Sequence, residues 1–85
     1  MNEVIFKDIG MNIVFHRKIM GITQITLAKN ANIGVAKLSK IERGIDVTEV
    51  PLSIYLRIAE SLNITLVDLL KTTDMRVRKL CVNKK

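Results

Sequence analysis

The sequence has few of the residues that cross-link a chain or bind a metal. Cys81 is the one cysteine and His16 the one histidine among 85 residues. A lone cysteine excludes an intrachain disulfide, and one cysteine with one histidine cannot supply the four ligands of a structural zinc site. We therefore expect no metal, no cofactor and a core held by apolar packing alone.

Catalytic groupings are equally scarce. No second histidine, nucleophile–base pair or phosphate-cradling glycine loop accompanies His16, whose place in a helical pattern indicates a packing residue. We expect that the protein is not an enzyme. The four glycines are interpreted as helix punctuation: Gly10, Gly21, Gly34 and Gly44.

Long hydrophobic runs are missing as well. The apolar runs span only a few residues each, whereas a helix needs about 20 apolar residues to cross a membrane. The first residues carry Glu3 and Asp8 instead of the basic region of a signal peptide. These absences lead us to expect a cytoplasmic protein without a membrane segment.

Apolar and basic side chains, by contrast, are abundant. Hydrophobic residues make up 48% of this short chain, so we expect part of the apolar surface to be buried between subunits of a homo-oligomer. The net charge of +6 is uneven: residues 17–43 carry +5, residues 44–70 carry −3 and residues 71–85 carry +5. This distribution indicates one cationic face, although scattered solvated charge is the simpler alternative.

Apolar periodicity and capping residues predict an all-α fold of five short helices joined by brief loops. Thr23 can cap the second helix, and Gly44 can end the third. Thr65 and Asp68 have the spacing of a capping box for the fifth. The basic segment 72–85 fits either an edge strand or a disordered arm. The predicted helices cover residues 9–20, 24–30, about 35–43, 51 to about 62, and 66 to 70 or 71.

The second and third helices, joined by a turn of three to four residues, form a helix-turn-helix unit at about residues 23–43. The strings LSKIERG at 38–44 and IAESL at 58–62, with Gln24 ahead of them, resemble the Cro- and lambda-repressor-like (XRE) family. The resemblance implies a compact five-helix, lambda-repressor-like DNA-binding domain over residues 1–71, followed by a short basic arm.

The predicted third helix has two different sides. Leu38 and Ile41 fall on one side and a small, cationic set on the other, which suits a major groove about 12 Å wide. An ordinary solvated face would carry acids there as well. By the resemblance, the residues that read bases are Val35, Ala36, Lys37, Ser39 and Lys40, and those that contact phosphate are Gln24, Arg17, Arg43 and Thr23.

The third helix begins with side chains that cannot hydrogen-bond, so we expect it to make few base-specific contacts. Lys40 can donate to guanine and Ser39 to several base edges, while Val35 and Ala36 can pack on thymine methyl groups. We expect tolerance at several operator positions, with DNA shape supplying the remaining selectivity. The resemblance also implies that Glu42 pairs with Arg17 of the first helix, and we expect this pair to be mainly structural, because a half-buried carboxylate is costly unless paired.

The first helix departs from the family pattern. Its inward positions are Ile9, Ile13, His16 and Met20, but its outer face is apolar where relatives usually carry charge. The candidate interface residues on that face are Met11, Val14, Phe15 and Ile19. We expect either residues 4–6 or the C-terminal arm to cover this face, from the same chain or from a partner subunit.

These features predict a sequence-specific transcriptional regulator, a repressor or controller, that binds an inverted-repeat operator in double-stranded DNA as a homodimer. One alternative is an antitoxin-type module that uses its apolar surfaces to bind a protein partner. The other is a nonspecific nucleic-acid binder whose affinity comes from the basic residues 72–85.

Overall fold

The computed structural model describes residues 2–71, and this part of the chain is all-helical, without strands. The predicted fold class is thereby confirmed, while the arm at 72–85, predicted as a strand or as disordered, lies outside the described residues. None of the helices described is long and apolar enough to cross a lipid bilayer. The five helices are α1 Asn2–Met20, α2 Gln24–Asn30, α3 Val35–Arg43, α4 Leu52–Ser61 and α5 Leu66–Leu70.

Helix α1 is much longer than predicted, because it begins at Asn2 and not at residue 9. Residues 3–8 contain no glycine or proline that would stop a helix, and Phe6 packs against the core. The expectation that residues 4–6 fold back over the outer face of the same α1 is therefore wrong. These residues are part of α1 itself, and the side chain of Val4 is another exposed apolar group on this helix.

The core lies where α1 crosses α3 and α5, and where α2 packs on α3 and α4. At the predicted inward positions of α1, Ile9 and Ile13 are buried, His16 is half-buried, and Met20, in the last turn, is exposed. The His16 ring packs edge-on against the Phe15 ring, with centroids 5.3 Å apart. The largest fully buried side chains are Ile13, Leu27, Leu38, Ile41, Ile58 and Leu69.

Local capping chemistry sets most helix ends. The Thr23 side chain accepts a hydrogen bond from the Thr26 amide at 3.1 Å. At α5 the capping box is complete, since the Thr65 amide donates to Asp68 at 3.0 Å and the Asp68 amide donates back to Thr65 at 3.2 Å. The hydrogen bond from the Thr65 backbone lowers the pKa of Asp68. The stabilisation by this ionised cap is therefore present at neutral pH and is lost as pH falls through the lowered pKa.

Gly10 is not helix punctuation, because it lies in the middle of α1. A Cβ atom at Gly10 would lie 2.6 Å from the carbonyl oxygen of Ile41 and closer still to that of Glu42. Gly44 ends α3 in the left-handed conformation, with φ 71°, and its position touches the backbone of Lys7. Two glycines thus allow the backbones of α1 and α3 to meet.

The buried side chain of Asn12 joins α1 to the end of α5. Its amide donates to the carbonyl oxygen of Leu69 at 2.8 Å and also to that of Lys71. The Leu69 carbonyl is one of those that a helix C-terminus leaves without intrahelical partners, and Lys71 is the residue that follows α5. A polar residue inside the core is satisfied in this way, and the end of α5 is fixed against α1.

Candidate nucleic-acid interface

The turn between α2 and α3 is made by residues 31–34. Ala31 is buried, and Asn32 adopts the left-handed conformation with φ 59°, which asparagine tolerates better than most residues. The Ile33 amide then donates to the carbonyl oxygen of Ala28 at 2.9 Å. Gly34 is the N-cap residue of α3. Because glycine has no side chain, no side-chain hydrogen bond caps this helix.

The outward face of α3 carries most of the predicted base-reading residues. Leu38 and Ile41 are buried against the core, and Ser39 is half-buried at the edge of the outward face. Helix α3 has no acid in its first turn and has Lys40 and Arg43 in its last. The exposed predicted readers are Val35, Ala36, Lys37 and Lys40.

Behind this face, the carboxylate of Glu42 ties three helices together. The residue is 8% exposed. Arg17 of α1 donates to it through Nε at 2.8 Å and through Nη2 at 3.3 Å. Gln24 of α2 donates to the same carboxylate at 2.7 Å. Charged hydrogen bonds from two sides offset the desolvation of a buried carboxylate, and they fix α3 relative to α1 and α2.

The predicted phosphate-contacting residues differ in how much of each remains available. Arg17 also donates to the carbonyl oxygen of Ile22 at 3.1 Å, so all three of its nitrogens have protein acceptors. One amide hydrogen of Gln24 is engaged by Glu42, which leaves the second. Arg43 and Thr23 are exposed, but the Nε of Arg43 donates to the carbonyl oxygen of Ser39 at 3.3 Å and the Thr23 hydroxyl donates to the Thr26 hydroxyl at 3.1 Å. The link from Gln24 to Glu42 was missed in the sequence, although a buried carboxylate in a helix pair signals a need for several donors.

A second missed contact lies at the edge of the α3 face. Asp46, in the loop after α3, pairs with Lys40 at 3.9 Å. A cavity of about 220 Å³ opens between α3 and this loop. No role for Asp46 can be predicted from the sequence, because the loop has no helical period that would place this residue beside α3.

The outer face of α1 is exposed at three of its four candidate interface residues. Phe15 is 57% and Ile19 66% exposed, and Met11 is similar, while Val14 is half-buried. We call Met11, Phe15 and Ile19 the α1 stripe. Four further apolar side chains are exposed on the last two helices: Leu52, Leu56, Val67 and Leu70.

The comparisons with known proteins agree with this geometry. The profile of the helix-turn-helix family (HTH_3) matches residues 16–69, which include α2 to α4 and most of α5. The chain belongs to the helix-turn-helix family. Its resemblance to the XRE branch of that family is thereby confirmed, and it is a DNA-binding transcriptional regulator.

A solved helix-turn-helix protein shares the fold. It is the restriction-modification controller protein C.AhdI from Aeromonas hydrophila, known from a high-resolution crystal structure. The two structures align with a TM-score of 0.69 and 26% sequence identity, over 75% of this chain and 94% of C.AhdI. Among curated protein sequences, none matches the chain significantly.

Proposed function

We propose that this helix-turn-helix protein is a sequence-specific controller or repressor that binds an inverted-repeat operator as a homodimer. The exposed α3 face carries this proposal: Lys37 and Lys40 project from it while Leu38 and Ile41 anchor its other side in the core. The likeness to C.AhdI supports a controller of restriction–modification genes over the other small regulators of this kind.

In the proposed complex, α3 lies in the major groove and α2 approaches the DNA backbone. Lys40 donates to guanine, and Val35 and Ala36 pack on thymine methyl groups. The free amide hydrogen of Gln24 binds phosphate at the N-terminus of α2, and the hydroxyl of Thr23 does so by turning from Thr26 to the phosphate. Arg43, at the end of α3, binds another. Arg17 acts chiefly through Glu42, which holds α3 in place.

The α1 stripe is the proposed interface between the two subunits. A row of exposed apolar side chains four residues apart gives a helix a continuous apolar surface, and burying it removes that surface from water. A second copy presents an identical stripe, as a two-fold interface requires. In such a dimer the two α3 helices enter major grooves about 34 Å apart.

Selection from random duplex DNA at near-physiological salt, followed by sequencing, tests the reading function. We expect an enriched inverted repeat, with guanine at the position that Lys40→Met relaxes and thymine beneath Val35 or Ala36. Lys40→Met should lower affinity for the enriched site about tenfold, the size of one good base contact. Retained DNA with no shared motif would contradict sequence reading and would point to the basic residues 72–85, whose deletion would then abolish binding.

The α1 stripe is tested by Phe15→Lys, with Leu56→Lys on α4 as a matched control. Both positions are exposed, so each lysine can reach water and the fold should survive. We expect Phe15→Lys to shift sedimentation from dimer to monomer at micromolar concentration, while Leu56→Lys leaves the dimer unchanged. The reverse result would move the interface to the α4–α5 surface.

A protein-partner module of the antitoxin type is the second candidate function. The exposed α1 stripe favours it as well, because another protein could cover the same apolar surface. The two functions differ in their salt dependence. DNA affinity that falls steeply with salt supports the regulator, since each phosphate contact releases counterions, whereas salt-insensitive capture of a protein supports the partner module.

A further inference from the structure

The ion pair between Lys40 and Asp46 contributes little to stability. Its two charged atoms are 3.9 Å apart, and the side chains are 51% and 78% exposed. Exposed ion pairs stabilise a fold by about 0–1 kcal/mol, because water screens the charges and both side chains lose rotational freedom. The pair can therefore open or change partners at low cost. A role in binding at the surface where the pair lies is more plausible on physical grounds than a role in stability.

That surface belongs to the proposed DNA-binding face. Asp46 lies across a cavity of about 220 Å³ from α3, and three predicted base readers line the same cavity. A carboxylate so placed repels the phosphates on both walls of a groove. Unless it accepts a hydrogen bond from a base, it only weakens binding. The lining residues include Ala36, Lys37, Lys40, Asp46, Val47 and Val50.

We infer that Asp46 is a specificity-determining residue that reads a G·C base pair jointly with Lys40. The inference rests on the proposed function, in which Lys40 donates to guanine. From the purine side, the major-groove edge of G·C offers two acceptors, N7 and O6, followed by the N4 donor of cytosine. A lysine and an aspartate whose charged atoms lie 3.9 Å apart match that order. Lys40 donates to guanine, and Asp46 accepts from cytosine N4.

The same pair disfavours A·T. Where cytosine offers its N4 donor, thymine presents the O4 acceptor, which repels a carboxylate. Asp46 thus makes the contact of Lys40 selective for the base pair, whereas a lysine alone can donate to N7 of either purine. The pair also explains how α3, which begins with apolar residues, can discriminate between base pairs. The charged pair near the end of α3 makes base-specific hydrogen bonds that Val35 and Ala36 cannot make.

Asp46→Asn tests the inference with little risk to the fold. Asp46 has φ 50°, and asparagine tolerates the left-handed conformation as well as aspartate does. We expect the preference for G·C at the Lys40-dependent position to fall about tenfold in the selection, with A·T gaining because the asparagine amide can donate to thymine O4, which repels the carboxylate. Affinity for unrelated DNA should rise, since one repulsive charge is lost. Unfolding curves of both proteins check the fold.

Glu49→Gln is the matched control, because it removes an equal charge from the same loop and leaves the Lys40–Asp46 pair in place. It should not change the G·C preference. In a Lys40→Met background, Asp46→Asn should have no further effect at that position. If the wild-type protein enriches a motif and its preference for G·C survives Asp46→Asn, the inference is overturned while the proposed function stands. A wild-type protein that enriches no motif would overturn the proposed function and the inference with it.

Discussion

Replacing Gly10 with alanine is expected to destabilise the domain by about 2–3 kcal/mol, a large loss for so small a protein. The added Cβ would lie 2.6 Å from the carbonyl oxygen of Ile41 and closer to that of Glu42. Both are backbone atoms, so no side-chain rotation relieves the clash. Helices α1 and α3 must separate, and the gain of about 1 kcal/mol that alanine brings to a helix interior is outweighed.

Urea unfolding followed by circular dichroism at a fixed protein concentration measures this loss. Gly34→Ser is the matched control. No atom lies within 4 Å of a Cβ at Gly34, and its φ of −69° suits any residue. The serine hydroxyl fills the empty cap of α3, so stability should rise by a few tenths of a kcal/mol. A Gly10→Ala protein that unfolds like the wild type would show that α1 and α3 lie farther apart.

Gly10 also shows where sequence reasoning reaches its limit. The bounds of α2 and α3 match the predicted ones, because their ends depend on local residues such as Thr23 and Gly44. The role of Gly10 depends on a carbonyl group more than thirty positions away, at Glu42, and no periodicity reports such a contact. The prediction that Gly10 marks a helix boundary is therefore wrong, because this glycine lies inside α1.

The same distinction applies to the site. The side of α3 that faces outward can be predicted from the sequence, because apolar residues recur with the helical period of 3.6 residues on the buried side. The partners of Asn12, Gln24 and Asp46 depend instead on how separate elements pack. For Gln24 a hint was available, since a buried carboxylate usually needs more than one donor. For Asp46 there was none, because a loop without periodicity gives no direction to its side chains.

Removing Arg17 is expected to have the largest effect of any single change considered. Arg17→Met leaves the carboxylate of Glu42, whose side chain is 4% exposed, with Gln24 as its remaining donor. Removing one partner of a buried ion pair typically lowers the free energy of unfolding by about 3–5 kcal/mol. Because Glu42 keeps its hydrogen bond from Gln24, we expect a loss near the lower value, about 3 kcal/mol. Urea unfolding measures the loss. The exposed Lys40–Asp46 pair provides the comparison, since Lys40→Met should change stability by less than 1 kcal/mol.

A double-mutant cycle then separates the structural role of Arg17 from contact with DNA. Arg17→Met with Glu42→Met buries two apolar side chains, and replacing both partners of a buried pair is often neutral or stabilising. We expect the double variant to recover most of the stability that Arg17→Met loses. If Arg17 acts only through Glu42, the salt dependence of DNA binding should also return to that of the wild type. A salt slope that stays about one unit shallower in the stable double variant would instead identify Arg17 as a phosphate contact.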